Sequence, residues 1–292
     1  MKFGVGHAFW GTTWACDIKK YRAVAEKIAG MGFDMYEITA DHLYRMTPEE
    51  LAEMAAISKE YGLTLSTNSG PSKEFDFSSA NPAVRANALE YFKQIVKNMS
   101  IVGSPTLAGA IYSFWPCDFV ETDKEAAWER SIPMLRELGH YAEDLGIECS
   151  LEILNRNETY ILTETKEALE YCDLIGCKAV NVLIDTYHAN IEEDDMLGAF
   201  RMAGDRLGHV HVGENNRKLP GMNNSIDWAG LGKTLREIDY KKGVVMEPFL
   251  LHGGEVGRDI RVWRDLSNNA NAAQMDEYLK TSLEFLKKNF LG

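Results

Sequence analysis

Short apolar and β-branched runs alternate with longer amphipathic runs from one end of the chain to the other. Each short run has strand length and is bounded by turn-forming residues. They fall at 2–9 (KFGVGHAF), 33–39 (FDMYEIT), 63–68 (LTLSTN), 105–111 (PTLAGAI), 147–153 (IECSLEI), 180–185 (VNVLID), 207–213 (LGHVHVG) and 243–247 (GVVME). The longer runs carry the helical period and predict helices at 18–31, 48–61, 82–102, 125–145, 164–176, 194–203, 228–238 and 273–289. Helix punctuation agrees. Thr47–Glu50 (TPEE) orders a cap, a first-turn proline and two acids, and Asn81 opens NPAV in the same way. Gly32, Gly62, Gly103, Gly146 and Gly176 each stand where a helix hands over to the next strand.

Eight β–α units with no Pro/Gly/Ser-rich linker predict a single (β/α)8 TIM barrel over residues 1–292, finished by a C-terminal helix. The competing architecture is a doubly wound open sheet, which usually carries a glycine-rich phosphate loop after an early strand. The stretch GVGHAFWG at 4–11 places its glycines on the strand and lacks the G-x-G-x-x-G spacing.

Composition narrows the function classes. The net charge of −13 argues against nucleic acid and anionic membranes as partners. No apolar run approaches the ~18 residues of a membrane span, and the first residues read as a strand without the features of a signal peptide. The expected location is the cytoplasm. The five cysteines are odd in number and form no C-x-x-C, so free, mostly buried thiols are expected rather than disulfides or a zinc ribbon.

In a parallel barrel, functional side chains gather at the C-terminal ends of the strands. There the fifth to eighth strands offer Glu152, Asp185, His211 and Glu247. Taken singly, a carboxylate at a strand end is commonly a helix cap. Four metal-competent groups on four successive strands form a hard, oxygen-rich set suited to one divalent cation, Mn²⁺, Mg²⁺ or Co²⁺. Glu158, His188 and Arg217 follow in the adjoining loops and are placed to contact substrate oxygens. Trp115, after the fourth strand, offers an aromatic face to a sugar ring. His7 closes the first strand, and with Asn68 it is counted among the substrate contacts. His209 lies one layer deeper than His211 and is expected to be a core histidine with a hydrogen-bond partner.

The stretches LEILNRNE, IDTYHANIEE, GHVHVGENNR, VVMEPF and VWRDLSN resemble the ketose 3-epimerases, the family of D-tagatose and D-psicose (D-allulose) 3-epimerases, within the xylose-isomerase-like barrels. The resemblance runs over nearly the whole chain. It implies one divalent metal per subunit, usually Mn²⁺ or Co²⁺, and homodimers or homotetramers. It also implies metal ligation by Glu152, Asp185, His211 and Glu247, with Glu152 and Glu247 as the catalytic carboxylates. Glu158, His188, Arg217 and Trp115 match the family's substrate-contacting positions. The chain departs from the pattern at Gly6 and His7, where aromatic residues are usual, and at Asn157, where phenylalanine is usual. It departs again at Asn68, where a small residue is usual, and in the loop 219–228 (LPGMNNSIDW).

The implied reaction inverts C3 of a free ketohexose of the D-tagatose/D-sorbose or D-fructose/D-psicose type. A metal polarises the C2 carbonyl and stabilises a cis-enediolate, while two carboxylates exchange the C3 proton across its faces. The main alternative is a metal-dependent aldose–ketose isomerase on the same barrel, of hydroxypyruvate- or rhamnose-isomerase type. A cyclic-polyol dehydratase, an endonuclease-type barrel and a non-enzymatic sugar-binding barrel stand further off. The endonuclease reading needs a histidine-rich multi-zinc site and a basic groove, and this chain has seven scattered histidines and a negative charge.

Overall fold

The computed structural model describes residues 1–292 and shows a closed eight-stranded barrel, every neighbouring pair parallel and β8 returning to β1. The strands are β1 Lys2–Gly6, β2 Met35–Thr39, β3 Thr64–Ser69, β4 Thr106–Gly109, β5 Glu148–Ile153, β6 Val180–Asp185, β7 Leu207–Val212 and β8 Gly243–Met246. The helices are α1 Ile18–Met31, α2 Ala40–Arg45, α3 Pro48–Tyr61, α4 Pro82–Val102, α5 Lys124–Asp144, α6 Thr165–Ile175, α7 Thr186–Glu192, α8 Met196–Ala203, α9 Trp228–Glu237, α10 Gly254–Asp259 and α11 Ala272–Leu291. All eight predicted strands and all eight predicted helices are present. None of the helices is long and apolar enough to cross a membrane.

The predicted caps act as read. Thr47 and Glu50 form a reciprocal capping box on α3, Asn81 caps α4, and left-handed glycines end α1, α3, α4 and α6. The first strand is shorter than predicted. Its ladder stops at Gly6, opposite Glu37, and His7–Trp10 turn away in a 3-10 helix. Pairing with β8 ends at Val5 and pairing with β2 at Gly6, and the apolar residues of HAFW pack as a turn rather than extending the sheet. Three short helices, α2, α7 and α10, were not predicted; six or seven residues are too few to display a helical period.

The strands separate an apolar outer layer from a mixed lumen. The outward strand residues, among them Val182, Val210, Val212 and Val244, join the helices in one large core. The lumen is different: Met35, Ala108, Leu183 and Val245 share it with the polar Glu37, Ser66, Ser150, Asn181, His209 and His211, all buried. The step from Val182↔Leu207 to Leu183↔His209 leaves Gly208 as one extra residue on β7. This bulge changes the phase of the strand, so that both histidines point inward beside Asp185, which pairs with His211. A Cβ on Gly208 would come 1.8 Å from Asn181 Oδ1 and 2.5 Å from Ser150 Oγ, so the bulge requires glycine. The last helix packs on α9. Arg236 donates to the Asn289 and Phe290 carbonyls, and Gly232 admits the Asn289 carbonyl where a Cβ would meet it at 2.2 Å. All five cysteines are free, four of them buried.

Candidate active site

The C-terminal rim of the barrel opens into a cavity of about 630 Å³. Glu152 stands near the end of β5, Asp185 ends β6, His211 lies one residue before the end of β7, and Glu247 follows β8 directly. One ligand-competent atom of each lies within 4.8 Å of the others. Asp185 is also a helix cap, since its Oδ1 accepts from the Tyr187 amide and starts α7. Capping and site-building therefore use one carboxylate, with Oδ2 turned to the site.

The donor set fits a divalent cation on the structure's own terms. His211 Nδ1 is buried, has no hydrogen-bond partner, and lies 3.4 Å from Glu152 Oε1 and 3.7 Å from Glu247 Oε1. A buried nitrogen aimed among three carboxylates without a partner of its own is what a ligand looks like when its cation is left out of account. The proton affinities of the donor set point the same way. Burial raises Glu247 to about 8, reinforced by Glu152 and Asp185 against the pull of His211 and Arg217. Burial also raises Glu152, against the attraction of His211. His211 loses from burial but is carried well above its ordinary value by Glu37, Glu247 and Glu152.

Arg217 ties this cluster to the loops. Its Nη1 donates to Asp185 Oδ2 at 3.1 Å and Glu247 Oε2 at 3.2 Å, and its Nη2 reaches Glu158 Oε1 at 3.4 Å. The guanidinium lies over the Tyr187 ring, 3.7 Å from its centroid. The residue itself has φ +65, held because its carbonyl accepts from the Phe249 amide and its amide donates to Glu214. His188 Nδ1 accepts from both the backbone and the side-chain nitrogen of Asn155, at 3.1 and 2.7 Å. The neutral ring therefore carries its proton on Nε2, which faces Asp185, Glu152 and Arg217. Burial, then Arg217, lowers His188 to about 3, so it is a neutral donor. Glu158 accepts from Trp115 Nε1 at 2.9 Å, which fixes the half-buried indole on the cavity wall beside Trp14.

His7 and Asn68 line the same cavity. His7 does so from the 3-10 turn rather than from a strand end, with Nε2 3.4 Å from the Trp14 carbonyl. Asn68 donates to Glu247 Oε1 at 3.2 Å. Of the positions that depart from the family pattern, Gly6, His7 and Asn68 belong to the wall, whereas Asn157 and 219–228 do not. That loop is gathered around buried Glu214, which accepts from the amides of Gly221, Asn224 and Ser225, from Ser225 Oγ and from Trp228 Nε1. It rests on α11 through Ser282 and Phe285.

Sequence reasoning missed Glu37, Asn155, Tyr187, Phe249 and Trp14. Glu37 had a visible signal, a lone acid inside an apolar strand. Asn155 and Tyr187 had none, because their roles depend on which neighbour the fold brings beside them.

Residues 25–288 match the profile of the xylose isomerase-like TIM barrel family. The chain is similar to the D-psicose 3-epimerase of Enterocloster bolteae, 40% identical over 99% of this chain and 96% of that one. Among solved structures it is similar to D-psicose 3-epimerase with D-tagatose from Clostridium cellulolyticum H10, with a TM-score of 0.96, 39% identity and 99% of each chain covered. It is equally similar to D-psicose 3-epimerase in the presence of D-fructose, with a TM-score of 0.97, 37% identity and both chains fully covered.

Proposed function

Since the chain belongs to the xylose isomerase-like TIM barrel family and, within it, to the ketose 3-epimerases, isomerases of ketose sugars, we propose that it inverts C3 of free ketohexoses. The substrates are of the D-fructose/D-psicose or D-tagatose/D-sorbose type. The observation that carries this reading is the placement of Glu152 and Glu247. They enter the site from β5 and from the end of β8, with β6 and β7 between them, yet both lie within 4 Å of His211 Nδ1.

One divalent cation, Mn²⁺ or Co²⁺ by preference with Mg²⁺ also suited, would be held by Glu152, Asp185, His211 and Glu247, and would supply charge stabilisation at the ketose oxygens. One glutamate removes the C3 proton and the other returns a proton to the opposite face, with roles exchanged in the reverse direction. His188 Nε2–H and Arg217 donate to the oxygens on which negative charge develops, and both are fixed before substrate arrives. Glu158 orients a substrate hydroxyl, and Trp115 covers the carbon face of the sugar. We place the enzyme in the cytoplasm as a homodimer or homotetramer.

Turnover of D-fructose and D-tagatose in D₂O with Mn²⁺ tests the reaction. Deuterium at C3 of substrate and product is expected. Label confined to C1 would replace this reading with aldose–ketose isomerisation.

A further inference from the structure

Two buried groups take no part in the reaction as written, Glu37 and His209, and they form one cluster with the proposed cation ligand His211. Glu37 sits inside β2 with its carboxylate in the barrel lumen, 2% exposed. Its Oε2 accepts from Ser66 Oγ at 2.8 Å and lies 2.9 Å from His209 Nε2. Its Oε1 lies 2.9 Å from His211 Nε2. Burying a carboxylate away from water is costly, and this one is surrounded by three donors on its two oxygens.

The contact between His211 Nε2 and Oε1 is close but not a well-aligned hydrogen bond. Its chemistry is still decided by distance. A bare ring nitrogen would set its lone pair against a carboxylate oxygen 2.9 Å away, so the proton of the neutral ring belongs on Nε2. That leaves Nδ1 bare, and Nδ1 is the nitrogen that faces Glu152 and Glu247 without a partner. His209, two residues earlier on β7, is held to the same carboxylate from the layer beneath.

We propose that Glu37 is the positioning residue of this site: it locks His211 in the Nε2-protonated tautomer and presents Nδ1 to the cation, with His209 and Ser66 holding Glu37 in place. The inference rests on His211 being a cation ligand. Carboxylates behind ligating histidines commonly have this effect, and their loss costs about 10–100-fold in metal affinity.

The test compares Mn²⁺ binding by the metal-stripped protein and by its Glu37→Gln and Glu37→Asp variants, with thermal unfolding of the stripped forms alongside. Glu37→Gln is expected to bind Mn²⁺ about 10–100-fold more weakly, beyond any change in its metal-free melting temperature. Glu37→Asp, too short to reach both imidazoles, is expected to be weakened as well. Equal Mn²⁺ affinity in wild type and Glu37→Gln would overturn the proposal while leaving the cation reading intact. A wild-type protein whose Mn²⁺ binding does not depend on Asp185 or Glu247 would overturn that underlying reading instead. If the variants do not fold, proton NMR of the Co²⁺-loaded wild type decides: a strongly shifted exchangeable proton from His211 Nε2–H is expected, and a protonated Nδ1 with bare Nε2 refutes the assignment.

Discussion

At the scale of single residues, Glu247 is both a proposed cation ligand and a proposed proton carrier, and its Oε1 accepts from Asn68 Nδ2 at 3.2 Å. Replacing it by Gln keeps the shape of the site but removes the proton carrier and one charged ligand. At saturating Mn²⁺, turnover should fall by two or more orders of magnitude while binding of the sugar to the Mn²⁺-loaded protein, followed by calorimetry, is largely kept. Unchanged turnover would remove Glu247 from the mechanism. The rim positions of Glu152, Asp185, His211 and Glu247 are readable in the sequence because strand-end position is a property of spacing. Glu37 is visible there but not assignable, since its imidazole partners lie on β7, 172 positions away in the case of His209. His7 gives a prediction about stability. Burial lowers its pKa from 6.5 to about 4, outweighing the Trp14 carbonyl. The unfolded chain therefore binds this proton more readily than the folded one. The contribution is complete above about pH 6.5 and is lost as pH falls toward 4, by up to ~1.4 kcal/mol per pH unit. Urea midpoints measured from pH 7 to pH 4 should fall less steeply for His7→Phe than for wild type; parallel curves would show that His7 plays no such part.

At the scale of elements, boundaries were read best where a cap chemistry marks them. The predicted ends of α1, α3 and α4 coincide with the observed ones because Asp17, Thr47 and Asn81 open them and left-handed glycines close them. The first strand was overrun because HAFW is apolar enough to pass for sheet, and only the end of pairing at Gly6 reveals the turn. The contact between α9 and α11 was also invisible, for it depends on a missing side chain. A Cβ at Gly232 would meet the Asn289 carbonyl at 2.2 Å, and a backbone oxygen cannot rotate out of the way as a side chain can. Gly232→Ala should therefore cost ~1–3 kcal/mol by forcing the helices apart, seen as a lower urea midpoint, even though alanine is the better helix former. A midpoint equal to or above wild type would show that the last helix shifts freely.

At the scale of the whole molecule, the eightfold rhythm of the sequence was enough to predict the closed barrel, but not what fills it. The periodicity that identifies strands comes mainly from the outward residues packed under the helices; the lumen is small and polar and leaves a weaker trace. A cation at the rim would be linked to the stability of the entire barrel, because its four ligands come from four strands. Mn²⁺ at a hundred times its dissociation constant should add about 2.7 kcal/mol, raising the melting temperature of metal-stripped protein by several degrees. Asp185→Asn should blunt the rise, and a melting temperature indifferent to Mn²⁺ would argue against the site. The extra residue on β7 carries a different lesson, one about inheritance. Asn181 and Ser150 leave no room for a Cβ at Gly208, and His209 and His211 face the lumen because of the extra residue there. The three strands β5, β6 and β7 are thus a single unit of exchange. A chimera that brings in β7 from a barrel without the bulge would turn its histidines toward the helices, and recombination between such lineages should break outside this sector rather than within it.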